Sequence, residues 1–78
     1  MEEVNKKDIA HLITTLGGQA QLARDLDLSR QAINQWLTNG LPTDVKRLAQ
    51  LHSHVRDQQF NLVEEQALTR IIWRRAYV

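Results

Sequence analysis

The stretch "QAQLARDLDLSRQAINQWLTNG", Gln19 to Gly40, decides how the rest of the chain reads. Leu22, Ala23 and Leu26 share one face of a short helix, because residues three and four apart lie on the same side. Asp27 tolerates the left-handed conformation better than most non-glycine residues, Leu28 turns the corner into the core, and Ser29 is placed to cap a new helix. At about 100° per residue, Ala32, Ile33, Trp36 and Leu37 of that helix cluster on one side. Arg30, Gln31, Asn34, Gln35, Thr38 and Asn39 occupy the other. The spacing predicts a helix-turn-helix over residues 19–39.

A surface helix with no outward task is usually filled with Glu, Lys and Ala. This one presents Arg, Asn and Gln, the side chains that match base edges in a major groove. Arg30 can grip guanine bidentately and Gln31 or Gln35 can do the same for adenine, each such pair discriminating by about 1 to 3 kcal/mol. Gln19 opens the first helix, where unbonded amides and the positive end of the helix dipole favour a phosphate. Ser29 is expected to cap its helix first and to share its hydroxyl with DNA only secondarily. Asn39, just before the helix end, and Thr43, at the next helix start, are placed for phosphate contacts. The bland alternative is a polar face that is simply solvated.

Outward from this unit the helical reading continues. Ile9, Leu12, Ile13 and Leu16 recur on one face of a first helix with Asn5 as its N-cap and Asp8 three residues on, and Gly17 and Gly18 stop it. Gly40 closes the third helix, Pro42 prevents its continuation, and Thr43 followed by Asp44 opens a fourth. Val45, Leu48, Leu51, His52 and Val55 form its expected inner side, and the polar run "RDQQ" marks a loop.

The carboxyl-terminal segment "FNLVEEQALTRIIWRRAYV" reads as a helix from Leu62 with Asn61 as cap, but its apolar residues surround the axis. Val63, Ala67 and Ile71 lie on one side, Leu68, Ile72 and Ala76 on another, and Leu62, Trp73 and Tyr77 on a third. That exceeds what one small core can cover, so residues 61–78 are expected to form a homodimer interface through Leu68, Ile72, Trp73 and Tyr77. A strand over "TRIIWRRAYV", rich in β-branched and aromatic residues, is the alternative geometry for the same purpose, and closure of the chain's own core by Trp73 and Tyr77 is the bland one. Arg70, Arg74 and Arg75 are read as keeping that interface soluble.

Composition bounds the rest. Seventy-eight residues without a linker, repeat or low-complexity tract make one domain over 1–78, with a radius of gyration of roughly 11 to 12 Å and a thin core. There is no cysteine to cross-link it, so a partner subunit is the remaining source of burial. The absence of a long apolar run or signal-like start points to a cytoplasmic protein with no membrane partner. The net charge of +1 is not that of a non-specific nucleic-acid binder, although the charge is uneven: four basic and five acidic residues through Gly40, six and four after it. His52 and His54 are two apart on a helix and face different ways, so no metal site is expected. His52 is read as a core-edge residue and His54 as solvated. No nucleophile pairs with a base and no glycine-rich phosphate loop is present, so neither an enzyme nor a cofactor or small-molecule site is expected.

Residues 19–38 resemble the twenty-residue helix-turn-helix of the Cro-type and related repressors of temperate bacteriophages. The likeness rests on a small fifth residue (Ala23), apolar residues at the fourth, eighth, tenth and fifteenth positions (Leu22, Leu26, Leu28, Ile33), and Trp36 at the eighteenth. "SRQAINQW" followed by "NGLP" looks most like the small all-helical branch, and the likeness extends over Asn5 to Val55. Asp27 departs from the pattern, which most often has glycine there. The resemblance implies an all-α, lambda-repressor-like bundle of four to five helices. It implies that Arg30, Gln31 and Gln35 read base edges, with Asn34 beside them nearer the sugar-phosphate wall and Thr38 on that wall. It implies a dimeric regulator of a phage or prophage switch, binding palindromic operator DNA with half-sites roughly one turn apart. Two other readings stay open: an antitoxin whose helix-turn-helix regulates its own synthesis while its terminal segment binds a toxin, and a helical protein-interaction module that never meets DNA.

Overall fold

In a computed structural model that describes residues 6–74, the chain forms five helices: α1 (Lys6–Thr15), α2 (Gln19–Leu26), α3 (Arg30–Asn39), α4 (Val45–Asp57) and α5 (Leu62–Trp73). No strand occurs among the described residues. The expected cap Asn5, and Arg75, Ala76 and Tyr77, lie outside them. The radius of gyration is 11.4 Å, inside the range set by chain length.

The first two helices stop where the sequence supplies a reason. At the end of α1, Gly17 takes φ 106° and Gly18 φ 92°, and their N–H groups donate back to Thr14 and Ile13 oxygens at 3.1 and 2.9 Å. This is a Schellman closure, which needs a residue in left-handed space where glycine carries no Cβ penalty. A Cβ on Gly17 would also lie 2.9 Å from Gln21 Cγ. The end of α2 repeats the closure with Asp27 in the left-handed position, φ 57° and ψ 47°. The Asp27 and Leu28 N–H groups donate to Arg24 and Ala23 oxygens at 3.3 and 2.8 Å. Leu28, half-buried, packs against the core as the apolar contact that accompanies this motif. The Asp44 side chain accepts from the Lys46 N–H at 3.1 Å and Asn61 from the Glu64 N–H at 2.8 Å, capping α4 and α5.

The core is aliphatic apart from one indole. Ile9, Leu12, Leu22, Ile33, Leu48, Leu51, Val55, Leu68 and Ile72 are sealed from solvent, with Trp36 nearly so. No polar or charged side chain is buried among the described residues. Leu41, which follows Gly40, is also buried and plugs the α3–α4 corner.

Several expectations change. Val45 is 62% exposed rather than inward. At the first helical position its Cα–Cβ bond tilts toward the helix start, away from the turns that pack. Residues 62–73 are helical, so the strand alternative fails there: Asn61 supplies a cap, Glu64 and Glu65 complement the first turn and Arg70 the last. Leu68 and Ile72, expected at a dimer interface, are 0% exposed within the chain's own core, because α5 packs that face onto α4 and α1. Arg74 does not merely solubilise: it reaches Asp8 at 3.0 Å, while His11 Nε2 lies 3.2 Å from Glu64 Oε1, so one ion pair and one polar contact tie this end of the chain and α5 to α1. Exposed pairs of this kind contribute about 0 to 1 kcal/mol each.

The corner at Asp27 generates a direct check. A β-branched residue there meets the full left-handed penalty, so Asp27→Val should lower the unfolding free energy in urea by about 1 to 2 kcal/mol. Asp27→Gly should leave the midpoint at or above wild type, because glycine removes the strain while adding freedom to the unfolded chain.

Candidate nucleic-acid interface

The outer face of α3 is built by what its inner face must do. Ile33 and Trp36 are buried, and Ala32 and Leu37 are half-buried beside them. This fixes the rotation of the helix about its axis. Arg30, Gln31, Asn34, Gln35, Thr38 and Asn39 are consequently all exposed on one continuous surface. The Ser29 hydroxyl accepts from the Ala32 N–H at 3.0 Å, so it caps α3 as expected and keeps its own proton for a further contact.

Gln19 stands at the start of α2 and donates from Nε2 to Asn34 Oδ1 at 3.4 Å. The contact joins the expected phosphate anchor to one of the expected base readers. It uses one lone pair of the Asn34 oxygen and leaves the other, together with both amide N–H donors, for a base edge. Gly18 caps α2 without a side-chain hydrogen bond, which leaves the first-turn amides of that helix facing outward beside Gln19. Thr43 is exposed immediately before the Asp44 cap.

Sequence reasoning passed over two basic residues at the start of α4, of which Arg47 borders this surface. Lys46 is exposed in the first turn of α4, and Arg47 lines a notch of about 310 Å³ together with Gln35, Trp36, Asn39 and Pro42. The Arg47 guanidinium donates to Gln50 Oε1 at 2.8 Å, which fixes its orientation and leaves further N–H donors. The dipeptide was visible in the sequence, but nothing in its spacing told that the Gly40–Pro42 corner folds it back toward α3.

Behind the surface, two polar contacts reach α2 from α4. Gln50 donates to the Leu26 oxygen at 3.4 Å, one residue before the corner. His54, expected to be solvated, is instead 14% exposed with Nε2 3.2 Å from Asp25 Oδ2, because its flank of α4 faces α2. Asp25 also accepts from Gln21 at 2.8 Å. His52 is the half-buried core-edge residue expected: its Nδ1 accepts the Trp73 indole N–H at 3.1 Å, with the rings edge-to-face at 6.0 Å. The described residues bring no three His, Asp or Glu side chains together as a metal would need, and no helix among them is long and apolar enough to cross a membrane.

Residues 9–53, from α1 through most of α4 and spanning the whole helix-turn-helix, match a protein-family model described as bacterial toxin YdaS. The family named is this one rather than the Cro-type family that α2 and α3 resemble. No curated protein and no solved structure matches the chain.

If Ser29 orders the amino-terminal turn of α3, Ser29→Ala should lower stability by about 1 kcal/mol in urea unfolding and Ser29→Asp should restore most of it.

Proposed function

Since the chain belongs to the family described as bacterial toxin YdaS and sets an Arg–Gln–Asn face on the second helix of a helix-turn-helix, we propose that it is a sequence-specific double-stranded DNA-binding transcriptional regulator. The observation that carries this reading is the outer face of α3. Six exposed polar side chains are held at fixed rotation by two buried ones. Arg30, Gln31, Gln35 and Asn34 are the base readers, with Gln19, Ser29, Thr38, Asn39 and Thr43 along the backbone, joined by Lys46 and Arg47. Binding as a dimer would place two α3 helices about 34 Å apart in successive major grooves of a palindromic operator. Occupying a promoter-overlapping site excludes polymerase, which makes this a repressor of the kind found in phage and prophage switches, acting in the bacterial cytoplasm. An acidic residue at the corner, Asp27, works against non-specific phosphate attraction and leaves more of the affinity to base contacts.

The family's description as a toxin is the observation that favours a second reading, in which the chain arrests its host. The two readings join if arrest comes from promoter occupancy, and they separate if arrest needs no DNA contact. The DNA-free interaction module has no comparable support.

Selection from a random duplex pool, followed by anisotropy titration at two salt concentrations, tests the first reading. The expected outcome is a palindrome bound with steep salt dependence, with Arg30→Ala losing about 1 to 3 kcal/mol and relaxing preference at one base pair of each half-site. Absence of binding at low salt would overturn it. Growth after induction decides the second: arrest by wild type that disappears in the Arg30→Ala, Gln31→Ala double variant assigns toxicity to DNA occupancy, and arrest that persists assigns it elsewhere.

A further inference from the structure

Gln50 follows Arg47 by three residues on α4, a separation that puts the two on the same side of the helix, and it uses both ends of its amide. Its Oε1 accepts from the Arg47 guanidinium at 2.8 Å, and its Nε2 donates to the Leu26 oxygen at 3.4 Å. A guanidinium only donates and a carbonyl only accepts, so one orientation of the amide serves both neighbours. Leu26 is the last residue of α2, and its oxygen is among the final-turn carbonyls that a helix leaves without an internal partner. The relay from Arg47 through Gln50 therefore ends one residue before the left-handed corner at Asp27.

Arg47 also lines the notch of about 310 Å³, whose walls are of two kinds. Leu28, Ala32 and Trp36 are apolar, whereas Gln35, Asn39 and Arg47 are polar. Gln35 and Asn39 belong to the exposed face of α3, so the notch opens beside the surface read as base-contacting. One backbone unit of a duplex has the matching chemistry: deoxyribose carbons that pack on apolar side chains, and a phosphate that accepts from a guanidinium. An arginine held at one N–H has already lost part of the side-chain freedom that phosphate binding removes.

We propose that the notch seats one sugar-phosphate unit beside the bases read by α3, with Arg47 donating to the phosphate, and that Gln50 is the positioning residue that holds Arg47 and ties it to the end of α2. Gln50 acts through Arg47 and needs no DNA contact of its own. The site rests on the DNA-binding reading and specifies how the recognition helix is placed: a phosphate gripped at Arg47 is linked, through Gln50 and the Leu26 oxygen, to the corner that orients α3. The Arg47 contact carries no sequence information, so it acts alike on every operator, whereas Arg30 acts on one base pair of each half-site.

The test measures the affinity of the full chain for the selected duplex over a salt series, with urea midpoints verifying that each variant is folded. Arg47→Ala should weaken binding to all operator variants alike and lower the slope of log affinity against log salt by about one. Gln50→Met keeps an unbranched side chain and leaves the guanidinium charged but unguided, so it should weaken binding several-fold with the slope unchanged. Added to Arg47→Ala, the same change should cost nothing further, because a positioning residue has no effect once the group it positions is gone. A Gln50 that merely supports the fold would weaken binding equally in both backgrounds, and that result overturns its role. Duplexes carrying a neutral methylphosphonate at single positions locate the seated unit, since one position should cost the wild type affinity and leave Arg47→Ala unaffected. An unchanged salt slope in Arg47→Ala, or no position that separates it from wild type, would overturn the phosphate site while wild-type binding keeps the DNA-binding reading. A wild-type chain that binds no duplex overturns both.

Discussion

The orientation of α3 depends on the corner between α2 and α3, where Asp27 holds a left-handed conformation and the Leu28 N–H closes onto the Ala23 oxygen at 2.8 Å. That single closure ends α2, sends Leu28 back against the core and delivers Ser29 in the extended conformation that an N-cap requires. With the corner set, burial of Ile33 and Trp36 fixes the rotation of α3, and the exposed amide and guanidinium face follows by subtraction. No buried polar group assists this arrangement among the described residues, so hydrophobic burial and backbone caps hold it.

A core this small has little to spare, and α4 and α5 contribute through contacts at its margin. Gln50 and His54 reach α2 from α4, the Trp73 indole bonds His52, and Arg74 and Glu64 reach back to α1. Each contact is modest, since partly exposed charges are screened by water and salt. Together they join the helix-turn-helix to the last helix, which lies outside the family match. That division makes physical sense. The matched residues carry the corner and the recognition face, whereas α5 completes the core with Leu68, Ile71 and Ile72 and turns a different face outward.

The five helices and their side-chain caps can be read from residue type and spacing, because these are local: Asp44 and Asn61 each bond an N–H two or three residues on, and Gly17 and Asp27 each supply one left-handed position, whereas the left-handed Gln59 after α4 is not announced by its residue type. The outward set of α3 is equally legible, since Arg30 through Asn39 sort themselves by helical angle once Ile33 and Trp36 are taken as inward. The apolar residues of α5 are different. They surround the axis, and angle alone cannot choose which of the Leu68–Ile72 and Leu62–Trp73 sides packs inward.

What the sequence by itself determined is therefore the helix-turn-helix, its stops and its polar face, all consequences of interactions spanning about five residues or fewer. Only the tertiary structure decided that Leu68 and Ile72 belong to the core rather than to an interface, that Val45 faces solvent, that His54 shelters beside Asp25, and that Arg47 lies next to Gln35 and Asn39. Those outcomes depend on how helices separated by corners at Gly40 and Asn61 settle against one another. The choice is made by the total apolar surface buried across the bundle, a quantity that no local run of residues contains.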